Sequence, residues 1–160
     1  MERNILEGKR ILVVDSEPEM RDSVAAVLSA SEVVTVGKLD EARPLICREF
    51  FDLVILDTVS ANECGLLDVC QAKKVPAAML TAREVEVRRL NTAMKLGAMS
   101  FFPRDELSRL PETVADLLER LEKRKTYLSK LRRLGAAVWE ALRVAWEETD
   151  QHPKFPWNYY

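Results

Sequence analysis

The stretch FDLVILDTVSANECG, from Phe51 to Gly65, limits the possible folds more than any other part of the chain. Leu53-Val54-Ile55-Leu56 is an unbroken apolar run of leucines and β-branched residues, which suits a strand buried on both faces at the centre of a parallel sheet. The run stops on Asp57, and the polar, turn-prone TVSANECG follows. A carboxylate at the C-terminal edge of such a strand stands where open α/β sheets place their ligands. Other strand-like runs end on polar or charged residues in the same way. ILVVDSE brings Asp15, Ser16 and Glu17, VPAAMLTA brings Thr81 followed by Ala82, and MSFFPR brings Arg104.

The segments between these runs read as helices. Arg10–Val14 is the expected first strand, and Glu17-Pro18 opens a helix with proline in the first turn, where its missing N–H costs nothing. Met20, Val24, Val27 and Leu28 form the buried stripe of that helix. Val33–Val36 is a second strand and Asp40–Arg48 a second helix, in which Pro44 removes a backbone bond unless it falls in the first turn. Leu66–Ala72 is a short helix and Val75–Thr81 a fourth strand. Val85–Leu96 is a helix with Val87, Leu90, Ala93 and Met94 inward and Gly97 as its C-terminal cap. Met99–Phe102 is a fifth strand, after which Asp105 caps a helix carrying Leu107, Leu110, Val114, Leu117 and Leu121. Strands and helices alternating at this rhythm imply right-handed crossovers and a doubly wound α/β fold, a parallel sheet with helices on both faces.

The ordered set Asp15/Ser16, Asp57, Thr81-Ala82 and Arg104 resembles the receiver domain of two-component response regulators, over roughly Lys9 to Lys123. The resemblance implies a five-stranded, flavodoxin-like strand order and a response regulator of a phosphorelay. Asp57 would accept a phosphoryl group from a sensor histidine kinase or phosphotransfer protein, and output would pass through protein–protein contacts. It also implies a Mg²⁺ site at Asp15, Asp57 and the backbone carbonyl of Val59, with Ser16 or Glu17 as further candidates. Thr81 would contact phosphoryl oxygens, Arg104 would pair with them, and Thr81 and Phe101 would form the activation switch. Gly65 matches the glycine of the loop after the acceptor.

This sequence departs from the family pattern at three positions. Ser16 stands where the family has a second acid, so one charge is missing and metal binding is expected to be weak. Arg104 replaces a lysine, and a planar fork does not behave as a compact ammonium does. Asp105 replaces the proline that usually follows. A non-phosphorylated pseudo-receiver acting as an interaction or dimerisation module is therefore the alternative reading. Beyond self-catalysed phosphoryl transfer and autodephosphorylation, no independent enzyme activity is expected. Val59 stands where an aspartyl-phosphate phosphatase would need its second acid, and no glycine-rich phosphate loop follows the first strand.

The chain has 160 residues, 48% hydrophobic, enough for one domain with a core and an extension. The expected division is a polar leader over 1–8, the receiver-like domain over 9–123, an amphipathic helical extension over 124–150, and a flexible aromatic and proline-rich tail over 151–160. In the extension, Leu128, Leu131, Val138 and Leu142 continue the apolar seam, which Arg124 and Gly135 interrupt. Dimerisation through this helix and folding back on the domain are both open. A formal charge of −2 gives no global basic field, and the local run Arg120–Arg133 reads as a solvated helix face. Neither nucleic acid nor a membrane surface is the expected partner. Cys47, Cys64 and Cys70 contain no CxxC pair and read as reduced thiols of a cytoplasmic protein. No apolar run approaches the ~18 residues of a membrane span.

Overall fold

The computed structural model describes residues 4–57, 65–82 and 87–132. Five parallel strands form one sheet: β1 Arg10–Val14, β2 Glu32–Val36, β3 Leu53–Asp57, β4 Ala77–Thr81 and β5 Ala98–Pro103. Their order across the sheet is β2-β1-β3-β4-β5, every neighbouring pair parallel. This is the flavodoxin-like order, in which the chain reverses its winding beside β1 and β3, and the strand ends there form a crevice.

The helices are α1 Pro18–Val27, α2 Leu39–Arg48, α3 Leu66–Ala72, α4 Val87–Lys95 and α5 Leu110–Arg132, the last preceded by a 3-10 turn at Leu107–Arg109. Alternate strand residues feed two separate cores, so β3 and β4 are apolar at every position before their last residues, Asp57 and Thr81. On one face Leu12, Val14, Val54, Leu56 and Met79 pack with Ala42 and Ile46 of α2, Leu67 and Cys70 of α3, and Ala93 of α4. On the other face Ile11, Val13, Ile55, Leu80 and Phe102 meet Val24 of α1, Leu28 just after it, and Leu110, Val114 and Leu118 of α5.

Several local boundaries differ from those read in the sequence. β4 begins at Ala77 instead of Val75, because the Val75 N–H bonds the Cys70 carbonyl and Pro76 has no N–H to give. α2 runs straight through Pro44, whose ring stands at the exposed surface. β2 and β5 are slightly longer than expected, starting at Glu32 and Ala98. In α4 the inward face centres on Ala93, and Met94, one step further round, is 49% exposed. Val87's side chain and residues 83–86 lie outside the described set. In α5 the buried residues at i, i+4 and i+8 are Leu110, Val114 and Leu118. Leu117, expected inward, is only partly buried at the edge of that stripe. Glu106, not Asp105, precedes the 3-10 turn, and it makes no side-chain cap bond.

Two glycines hold backbone shapes other residues resist. Gly65 has φ +63° at the entrance to α3, and Gly97 has φ +108° just after α4, where its N–H bonds the Met94 carbonyl. The chain divides into two compact units, residues 1–118 and 119–160. Within the described part of the second unit, helix continues to Arg132, with a Glu119–Lys123 ion pair at 2.7 Å on its surface. The seam residues Val138 and Leu142, the break at Gly135 and the aromatic tail lie outside the described residues. Among the described residues no helix is long and apolar enough to cross a membrane.

Candidate functional site

The C-terminal ends of β1, β3, β4 and β5 bring four polar side chains to one edge of the sheet. Asp15 follows β1, Asp57 ends β3, Thr81 ends β4 and Arg104 follows β5. The first three are buried, at 0%, 2% and 8% exposure, although their strands are otherwise apolar. Unpaired burial of such groups is costly, so their partners decide how the pocket is held.

Arg104 is the partner that joins them. One Nη2 lies 2.8 Å from Asp15 Oδ2 and 3.5 Å from Glu17 Oε1, and Nη1 lies 3.5 Å from Asp57 Oδ1. Its backbone is fixed as well, since the Arg104 N–H donates to the Thr81 carbonyl at 2.9 Å. The other Asp15 oxygen accepts the Glu17 N–H at 2.8 Å. Burial pushes the Asp15 carboxyl above the ordinary carboxylate range. The Glu17 N–H and Arg104 oppose that rise, and the negative charges of Asp57 and Glu17 add to it. Two buried polar atoms have no hydrogen-bond partner here, Asp57 Oδ1 and Arg104 Nε. The Thr81 hydroxyl makes one long contact, 3.5 Å to the Phe102 carbonyl.

Arg21 enters the site from α1, unforeseen in the sequence. Its Nη1 donates to the Asp15 backbone carbonyl at 2.6 Å and lies over Gly37, which has no side chain to obstruct it. The spacing of six from Asp15, which puts it about one turn into the helix that begins at Pro18, is the signal that would have found it. Of the residues expected at the site, Asp15, Asp57 and Arg104 come together and Thr81 joins them through its backbone. Glu17 meets Asp15 through its backbone N–H and Arg104 through its carboxylate, and Ser16 is exposed. Phe101 is half-buried against the face of the sheet that carries α2 to α4. Val59 lies outside the described residues.

The donor set fits a hard divalent cation. Mg²⁺ takes oxygen ligands, uses one or two carboxylates and keeps several waters, and Asp57 Oδ1 is a buried oxygen without a hydrogen-bond partner. Among the described residues no group of three or more acids, histidines or cysteines gathers around a common point. Among the described residues the buried carboxylates that face a cation there are Asp15 and Asp57.

No protein-family model matches the chain. The response regulator protein PilR of Pseudomonas aeruginosa is 34% identical over 121 residues, covering 69% of this chain. The matched part is 26% of PilR's length. The structure of NtrX from Brucella abortus superimposes with a TM-score of 0.67 at 29% identity, over 78% of this chain and 29% of that one. A CheY-like response regulator receiver domain protein from Methanospirillum hungatei JF-1 superimposes with a TM-score of 0.63 at 22% identity. It covers 74% of this chain and 99% of its own. The last likeness speaks for the fold alone, whereas PilR and NtrX are similar in sequence as well. With the strand order and the buried Asp15–Asp57–Arg104 cluster, they identify the 2-1-3-4-5 sheet and its helices as a response-regulator receiver domain.

Proposed function

We propose that this receiver domain accepts a phosphoryl group on Asp57 from a phosphohistidine of a sensor kinase or phosphotransfer protein, in the cytoplasm, and signals through protein contacts. The observation that carries this reading is Asp57 itself. It is a carboxylate 2% exposed at the end of the central strand, with Oδ1 free of hydrogen bonds and a guanidinium 3.5 Å away. An Asp57 oxygen would attack phosphorus as the phosphorus–nitrogen bond breaks, leaving an acyl phosphate and a histidine that takes up a proton. Such transfer is governed by positioning and by charge stabilisation. A Mg²⁺ ion, when bound, would supply positive charge to carboxylate and phosphoryl oxygens together. Asp15 and Asp57 would hold it, with the Val59 carbonyl as the further ligand expected from the family. The Thr81 hydroxyl, held only by a 3.5 Å contact, is available to donate to a phosphoryl oxygen. Arg104 would pair with another.

A second reading is favoured by the same guanidinium. Arg104 already sits on Asp15, and exposed Ser16 adds no charge. On that reading the domain keeps the fold as an interaction module without phosphorylation. Incubation with a small acyl phosphate donor, with and without Mg²⁺, separates the two. Phosphorylation is expected as an acid-labile label on wild type that Asp57→Asn abolishes without changing the far-UV spectrum. A label that persists in Asp57→Asn would place the acceptor elsewhere. A wild-type chain that takes no label in either condition supports the unphosphorylated module.

A further inference from the structure

We infer that the Arg104 guanidinium is the pocket's resident counter-ion, and that it competes with a divalent cation for the carboxylates of Asp15 and Asp57. This deepens the reading of the same pocket, but it does not require that Asp57 ever be phosphorylated.

One planar fork serves three carboxylates. Nη2 lies 2.8 Å from Asp15 and 3.5 Å from Glu17, and Nη1 lies 3.5 Å from Asp57. The Arg104 side chain is 18% exposed, against 0% and 3% for those of Asp15 and Asp57. Its charge therefore acts from inside the pocket, where solvent screens it little. Both Asp15 oxygens are already engaged, one by Arg104 and the other by the Glu17 N–H. A cation shared by Asp15 and Asp57 would share both carboxylates with the guanidinium at close range, and like charges that close repel strongly. Ser16, where a further acid would offset that repulsion, is an exposed hydroxyl, and the Glu17 carboxylate, 63% exposed, stands against Arg104 itself at 3.5 Å.

The chemistry of arginine sharpens the conflict. A lysine ammonium is a compact point charge on a flexible stem, whereas the guanidinium presents a rigid fork that can hold two acids at once. The hold on this pocket is incomplete, since Arg104 Nε and Asp57 Oδ1 are both buried without hydrogen bonds. Exchange for a cation that satisfies Asp57 Oδ1 is therefore open to the site. The backbone of Arg104 is tied to Thr81, so the side chain must do the moving.

The test is Mg²⁺ titration of the full chain, following the Asp57 backbone amide by NMR, in wild type, Arg104→Gln and Arg104→Lys. Removing the resident charge is expected to tighten Mg²⁺ binding by roughly tenfold or more, with lysine between glutamine and wild type. Equal or weaker binding in Arg104→Gln overturns the inference. Should the glutamine variant fail to fold, the Arg104→Lys titration and the wild-type guanidinium resonance decide. The Arg104 Nε–Hε signal is expected to shift in step with the Asp57 amide as Mg²⁺ is added. Saturation of the site with that signal unmoved overturns the inference. Absence of binding in wild type supports it when either variant binds, and overturns it when neither does. None of these readings depends on labelling, so a chain that never takes up phosphate leaves them intact.

Discussion

Gly37→Ala is a small change that should loosen the pocket from a distance. Gly37 sits in the bend between β2 and α2, and its φ is not in the left-handed region, so the backbone itself accepts alanine. The obstacle is Arg21. A Cβ on residue 37 would fall 2.7 Å from Arg21 Nη1 and 3.2 Å from Cζ. The end of a flexible side chain gives way before backbone does, and this end donates to the Asp15 carbonyl at 2.6 Å. Loss of a hydrogen bond from a charged group costs about 1.5–3 kcal/mol. Replacing glycine with alanine at a compatible φ returns about 0.4–1 kcal/mol through the unfolded chain. The net expectation is destabilisation by roughly 0.5–2.5 kcal/mol in urea unfolding, with an unchanged m value. In an Arg21→Ala background the clash has no partner, so the same glycine substitution should become stabilising by about 0.4–1 kcal/mol. This reversal of sign is the decisive result. A neutral Gly37→Ala in the native background, or the same cost with and without Arg21, would refute the clamp.

Ser16→Asp should restore charge beside Asp15 and tighten Mg²⁺ binding roughly tenfold or more, about 1.4 kcal/mol; a titration showing no gain would mean that Glu17 already fills the role or that the pocket excludes metal. Asp15→Asn tests the buried carboxyl through pH. Because its folded value is raised, the native state binds more protons than the unfolded chain between the ordinary and the raised value, so wild type loses stability as pH rises through that window. The stability of the variant relative to wild type, measured in chelator, should therefore improve from low to high pH, and a difference independent of pH would contradict the shift. Among the described cysteines, Cys47 is exposed, whereas burial pushes the Cys70 thiol up to about 12. Iodoacetamide should label Cys47 in the native chain and spare Cys70 until the chain is unfolded, as peptide mass spectrometry would show.

The sheet was legible because the two cores leave no polar position in its centre. Ile55 faces one core and Leu56 the other, so LVIL reads as buried without any knowledge of topology. Helix existence followed from the same apolar spacing, but the inward face was less secure. Leu117 and Leu118 are neighbours of one type, one at the edge of the stripe and the other within it, and sequence spacing alone does not separate them. Where a boundary was misplaced, a local bond outweighed the pattern. The Val75 N–H, taken by the end of α3, shortens β4 at a residue that otherwise suits a strand.

The site divides along the same line. That Asp15, Asp57, Thr81 and Arg104 share an edge follows from strand ends, because parallel strands all finish on one side of the sheet. Which oxygens they share does not follow, for a guanidinium with five donors can answer several arrangements of acids. The resemblance implies that Arg104 pairs with phosphoryl oxygens at Asp57, yet its shortest bond is to Asp15, from which it is separated by 89 positions. Arg21 escaped notice for the complementary reason. It acts on a backbone carbonyl, which every residue has, and on the emptiness over Gly37, which shows only when α1 meets the bend after β2. The pocket's charge therefore rests on contacts between elements distant in sequence, and variants at Gly37 and Arg21 should reach Asp15 without touching a residue of the expected motif.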